Sequence, residues 1–229
     1  MYGQCAHIKN LQTENADLPN NSHMLAVSDL SFERYFERVF EPVSFELNAG
    51  ALLLITGSNG CGKTTLLRLL AGLLEPSEGK LHTREQPLYA GHFPAIKDDL
   101  SVEENIRFWM KFMGTRKAGQ MNGLCEQVIE EIGLTPVAQQ EGRTLSAGQR
   151  KRCSLARLLF CDEPLWLLDE PYSNLDPQGI AMLDRILKSH LKAGGACIMT
   201  THGSLRPEGF DLQECHMISG RERYAGEAA

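Results

Sequence analysis

The chain has 229 residues, 42% of them hydrophobic, and a formal net charge of −6; this length buries a full core and fits one domain with room for a subdomain. The acidic balance presents no basic face to nucleic acid, and the longest apolar runs, such as ALLLIT at 51–56, are far shorter than the roughly 20 residues that span a bilayer. Seven cysteines without a C-x-x-C spacing argue against structural zinc and, with no signal peptide, read as reduced thiols of a cytosolic protein.

Residues 1–23 are polar and aperiodic, a loose extension, with Met24 as an alternative start. Short alternating strands follow up to Asn48-Ala49-Gly50. ALLLIT reads as a buried strand, then a glycine-rich turn, then the helix KTTLLRLLAGLL, which Pro76 is expected to end. Residues 76–100 read as turns around one strand, PLYAG. Residues 101–142 look helical: SVEENIRFWMKFMG opens with a Ser-x-x-Glu capping box, and LCEQVIEEIG stops at Gly133. SAGQRKRCSLARLLF is a further helix and LWLL a buried strand. PQGIAMLDRILKSHLKAGG places Ile180, Leu183, Leu187 and Leu191 on one face and ends at a double glycine. ACIMTTH is another buried strand, and the tail is expected to form a hairpin. Strands alternating with helices predict an α/β fold whose mostly parallel sheet has helices on both faces.

GSNGCGKTT, residues 57–65, fits G-x-x-x-x-G-K-[ST] between a predicted strand and a predicted helix, the context such a motif requires. Gly57, Gly60 and Gly62 permit the turns that aim N–H groups at phosphate, with Ser58, Asn59, Cys61 and Thr65 completing the loop. Lys63 reaches the β/γ-phosphates of ATP, and Thr64 offers a hydroxyl to Mg²⁺. PLWLLDEP places two carboxylates at the exit of an apolar strand, where α/β sheets bind ligands. Asp169 would hold Mg²⁺ through its water shell, and Glu170 would take the proton of the attacking water.

LSAGQ (145–149), SNLD (173–176) and TTH (200–202), together with the P-loop, resemble the motifs of the ATP-binding cassette ATPases, in the right order, and the resemblance covers about residues 25–220. It implies a P-loop NTPase with an antiparallel β subdomain and a helical subdomain at about 101–160, within one ATP-binding domain at 24–229. It also implies that Ser146 and Gly148, with Gln149 beside them, bind the γ-phosphate held by the P-loop of a second subunit. Free N–H groups at a helix N-terminus suit an anion; the bland alternative is an ordinary helix start. By the same resemblance His202 is the switch histidine that orients water and γ-phosphate. Tyr35 matches the aromatic that stacks on adenine, with Phe36 an adjacent candidate and a core-packed strand aromatic the plain alternative.

One P-loop and one LSAGQ cannot close a complete site in the family's head-to-tail arrangement, so the resemblance implies a homodimer. A single cassette without a membrane segment is similar to detached ATPase subunits that drive polytopic membrane proteins from the cytoplasmic face of the inner membrane. LSAGQ with Ala147, PLWLLDEPYSNLD, HLKAGGACIMTTH and LYAGHFPAIKDDLSVEENIRF resemble the ATPase subunits of the haem exporter of cytochrome c maturation. His92 stands where most cassette ATPases carry glutamine, and this subfamily commonly has histidine there. A neutral imidazole nitrogen offers a lone pair where glutamine offers a carbonyl oxygen; the alternative is a surface histidine in a turn. Two other functions compete: the ATPase of another small exporter of lipid, drug or peptide, and a soluble assembly ATPase.

Overall fold

The computed structural model describes residues 23–113, 121–201 and 206–220; most of the expected extension lies outside them. β1 (His23–Ser31) begins one residue inside that extension. It turns its alternate residues Leu25 and Val27 inward and pairs antiparallel with β4 (Val43–Asn48) and with β6 (Glu78–Thr83). Between β1 and β4 lies a small hairpin, β2 (Glu33–Arg34) with β3 (Glu37–Arg38). The sequence reading places one strand within 76–100, and the structure has two. β6 escapes it because EGKLHT carries a single large apolar residue, Leu81, on a half-exposed edge, and polar edges hide the alternation.

The second sheet is parallel throughout, in the order β10 (Leu212–His216), β5 (Leu52–Thr56), β9 (Ala196–Thr200), β8 (Leu165–Leu168), β7 (Leu88–Ala90). A parallel sheet covered on both faces needs near-continuous apolar strands, and LWLL and ACIMT are buried at every position. Their alternate side chains divide between two cores. Leu52, Leu54, Trp166, Leu168, Cys197 and Met199 face α2 (Val102–Phe112), α3 (Met121–Glu131), α4 (Ala147–Leu155) and α5 (Pro177–Lys192). Leu53, Ile55, Leu165, Leu167 and Ile198 face α1 (Lys63–Leu70) and the antiparallel sheet. Among the described residues the tail forms no hairpin: β10 lies parallel beside β5 and covers what would otherwise be an open edge.

The helices begin and end for local reasons. Ser101 caps α2 reciprocally with Glu104, at 3.2 and 2.8 Å. α1 stops earlier than Pro76 because Gly72, at φ +68°, turns the chain. Leu73 N–H then donates to Arg68 O and Gly72 N–H to Leu69 O, each at 2.9 Å, a glycine-centred C-cap. Asp176 caps α5 by accepting from Gly179 N–H at 2.8 Å, with Pro177 at the first helical position. No helix among the described residues is long and apolar enough to cross a membrane, and the six cysteines described are free thiols.

Candidate active site

The register of the parallel sheet assembles the site at the carboxyl ends of four adjacent strands. Ile55 lies beside Thr200, Leu168 beside Met199, and Ala90 beside Leu168. The next residues along β8 and β7, Asp169 and Gly91, therefore emerge level with Thr200, and Asp169 N–H donates to Ala90 O at 2.8 Å. The P-loop leaves β5 on the other side of β9. Open parallel sheets bind ligands at this edge.

The P-loop needs its glycines. Gly57 has φ +142°, and a Cβ there would stand 2.6 Å from Met217 O and 2.7 Å from Cys61 Sγ. Gly62, at φ +103°, precedes α1 and leaves that helix without a side-chain cap, its first N–H groups facing the loop. Ser58, Asn59 and Gly60 are exposed, Cys61 is fully buried, and Thr64 and Thr65 are half-buried. Cys61 thus contributes small size and backbone; its N–H donates to Ser58 O at 3.2 Å. Lys63 is buried, and its Nζ donates to Gly57 O and Ser58 O at 2.8 and 3.0 Å. The ammonium is thereby held within the loop.

Across the sheet edge, Asp169 is nearly inaccessible and bridges the start of α1 to the end of β9. Its Oδ2 accepts from Thr64 Oγ1 at 2.8 Å and its Oδ1 from Thr200 Oγ1 at 2.7 Å. A hydroxyl and a carboxylate so close are the hard oxygen donors that Mg²⁺ takes beside phosphate and water, so the residues fit that ion. Glu170 adopts φ +49°, a left-handed conformation rare for a residue with a side chain. Its N–H donates to Thr200 Oγ1 at 3.0 Å, and its Oε2 lies 3.3 Å from His92 Nδ1. His92 is half-exposed, its ring edge-on to Phe93 with centroids 5.4 Å apart.

Two further candidates lie on other elements. Ser146 caps α4: its Oγ accepts from Gln149 N–H at 3.2 Å, and Gln149 Oε1 accepts from Ser146 N–H at 2.9 Å. Ser146 is exposed, and Gly148 sits where a Cβ would stand 3.0 Å from Asn174 O. Tyr35 and Phe36 form the tip of the β2–β3 hairpin at φ +54° and +64°. They are 90% and 100% exposed, so the core-packed alternative for Tyr35 is excluded. His202 lies outside the described residues.

The ABC transporter family model matches residues 40–173. A relative from Xanthomonas axonopodis pv. citri, a cytochrome c biogenesis ATP-binding export protein CcmA, is 46% identical over 79% of this chain and 87% of its own length. This chain belongs to the ABC transporter family, CcmA type. The Rhizobium meliloti CcmA is 40% identical over 81% of this chain and 93% of its own length. Among solved structures, the ATP-binding subunit of an ABC transporter superposes with a TM-score of 0.74 at 23% identity, covering 90% of this chain and 95% of that one; this likeness shows the ABC ATPase fold.

In this ABC ATPase the tertiary structure gives roles to two groups that the motifs left without one. Thr200 links Asp169 to the backbone of Glu170. Lys151, 4% exposed, donates from Nζ to Glu170 O at 2.9 Å. Burial pushes its ammonium down to about 8, against the pull of Asp169 and Glu170. In the sequence Lys151 is the middle of three basic residues, a pattern that ordinarily marks a solvated helix face.

Proposed function

We propose that this chain hydrolyses ATP as the motor subunit of the haem-handling exporter of cytochrome c biogenesis, working as a homodimer beneath polytopic membrane partners at the cytoplasmic face of the inner membrane. The observation that carries the catalytic reading is the Asp169–Glu170 pair, held against Thr64 of the P-loop at 2.8 Å with His92 at 3.3 Å from the glutamate. The names of the CcmA relatives support the cellular role.

The chemistry follows from the donors and acceptors present. Lys63 exchanges its two loop carbonyls for β/γ-phosphate oxygens, and the loop N–H groups and the α1 N-terminus stabilise the remaining charge. Thr64 and Asp169 would hold Mg²⁺, which supplies charge neutralisation at the phosphates. Glu170 accepts the proton of the attacking water, aligned by His92 and by His202. Ser146 already accepts a hydrogen from Gln149 N–H, so its own hydroxyl hydrogen is free for a phosphate oxygen; with Gly148 it addresses the γ-phosphate of the opposing subunit. Tyr35 and Phe36 hold left-handed conformations, which cost on the order of 1–3 kcal/mol each, without any buried contact in return. One of them serves adenine, with stacking worth roughly 1–3 kcal/mol.

The helical subdomain, about 101–160, presents the face for the membrane subunits. Phe112 is 71% exposed on α2, its ring 5.7 Å from Trp109, whose Nε1 donates to Ala95 O at 2.8 Å, and Phe93 is 81% exposed beside His92, so α2 lies against the loop that carries His92.

Two measurements test the reading. Glu170→Gln is expected to bind ATP normally and hydrolyse it roughly 10² to 10⁴ times more slowly; wild-type turnover would remove Glu170 from the mechanism. The tagged chain, purified from detergent-solubilised membranes of cells making c-type cytochromes, is expected to bring down polytopic haem-handling proteins. Recovery of lipid or peptide exporter subunits, or of no membrane protein, would overturn the cellular role.

A further inference from the structure

Helix α4 carries Arg150, Lys151 and Arg152 in succession, and the three diverge. Arg150 reaches outward to Gly142 O at 2.6 Å and Asp98 Oδ1 at 2.7 Å. Arg152 lies 3.9 Å from Asp176. Lys151 turns into the protein, where its ammonium meets a backbone carbonyl, that of Glu170. Burying an ammonium is costly, and the one carbonyl it meets, together with the pull of the Asp169 and Glu170 carboxylates, recovers only part of its lost hydration. A methionine of similar reach would fill that space at less cost, so packing does not account for a lysine.

The peptide it touches is unusually constrained. Glu170 O accepts from Lys151 Nζ at 2.9 Å, Ser173 Oγ at 2.8 Å and Ser173 N–H at 3.2 Å. Glu170 N–H is tied to Thr200, and the residue is held at φ +49°. Left-handed backbone at a site of chemistry persists only when its surroundings over-determine it. Ser173 and Thr200 come from the same strand-end cluster. Lys151 alone of the three ties the peptide to α4, one helical turn from Ser146 and Gly148.

We propose that Lys151 is a positioning residue for hydrolysis, locking the Glu170 peptide to the helix that begins at Ser146 and so aiming the Glu170 carboxylate. This rests on the reading of Glu170 as the base and of Ser146 as the contact to the opposing subunit's nucleotide. Under that reading the link has a consequence for the dimer. A phosphate engaged at the Ser146 end of α4 acts on the base that the same chain supplies to the other composite site.

The test uses the full chain with Mg-ATP and measures kcat, KM, nucleotide affinity and Tm. Lys151→Met is expected to lower kcat roughly 10- to 100-fold, the scale of a small misplacement. KM and affinity should stay within about twofold, and Tm should be no lower. Lys151→Gln keeps an N–H donor and should recover part of the lost kcat. In a Glu170→Gln background Lys151→Met should add less than about twofold, because both act through one group. Three outcomes overturn the proposal: wild-type kcat in Lys151→Met, a full further loss in the Glu170→Gln background, or a fall in kcat and Tm together without recovery in Lys151→Gln. If Glu170→Gln itself turns over like wild type, the base assignment fails and the Lys151 proposal falls with it. If Glu170→Gln is slow and Lys151→Met is not, only the Lys151 proposal fails.

Discussion

His92 and Glu170 follow different strands, β7 and β8, by two residues each, yet their side chains approach to 3.3 Å. A glutamine at position 92 retains an amide that donates to the Glu170 carboxylate; an alanine does not. His92→Gln is therefore expected to keep substantial ATPase activity and His92→Ala markedly less, compared at one pH in Mg-ATP. Equal activity in all three proteins would reduce His92 to a loop residue. Lys151 yields a prediction of a different kind. Its ammonium is depressed from the ordinary lysine value to about 8 in the folded chain, whereas an unfolded lysine keeps its proton to about pH 10.4. Between those values the unfolded state binds more protons, so the lysine's contribution to stability rises with pH through that window and is flat below it. Wild type should gain stability relative to Lys151→Met when urea midpoints without nucleotide are compared at pH 7.5 and 9.5. Equal shifts in both proteins would show that Lys151 is not depressed.

At the scale of elements, the loop carrying His92 is hung from two helices. Asn105 of α2 is buried; its Nδ2 donates to Lys97, Leu100 and Ser101 carbonyls at 3.0 Å each and its Oδ1 accepts from Lys97 N–H at 2.7 Å. Trp109 Nε1 donates to Ala95 O at 2.8 Å, and Arg150 of α4 holds Asp98. Removing the Asn105 amide strands several polar groups, each worth about 1–3 kcal/mol. Asn105→Ala should cost about 2–4 kcal/mol and lower Tm by roughly 5–10 °C, read by calorimetry; an unchanged Tm would mean that water replaces the amide. The sequence showed α2 through its capping box and apolar face, but an asparagine inside a helix reads only as a weak helix former. Three of the four groups it binds belong to Lys97 and Leu100, in a loop whose course no local pattern predicts.

For the whole molecule, the homodimer reading makes an asymmetric prediction. Ser146→Arg places a bulky cation where the opposing γ-phosphate must approach, at the further cost of a helix cap, about 1 kcal/mol. Lys63→Ala removes the cation from the P-loop. Each protein alone should be nearly inactive. Mixed in equal amounts, they form dimers in which one composite site carries both lesions and the other carries none. Activity should then recover to at most about a quarter of wild type, since half of randomly assorted dimers are mixed and each has one intact site. No recovery at any ratio would count against head-to-tail pairing.

The P-loop, the capping boxes and the buried strands were readable because each is a local pattern: glycines spaced before a lysine, a serine three residues before a glutamate or glutamine, a run of aliphatics bounded by turns. The family followed from several such patterns in order. Contacts between elements were not readable in this way. That Lys151 rather than Arg150 or Arg152 reaches the Glu170 peptide depends on how α4 lies over the end of β8. That Tyr35 and Phe36 both project from a hairpin tip, instead of one entering the core, depends on two left-handed residues in succession. The polar strand β6 exists because β1 offers it an edge, and β10 lies parallel because β5 does. The meeting of His92, Asp169, Glu170 and Thr200 rests on the register of β7, β8 and β9. A pattern of period two says which side chains share a face; only the packed sheet sets which residues of neighbouring strands stand side by side.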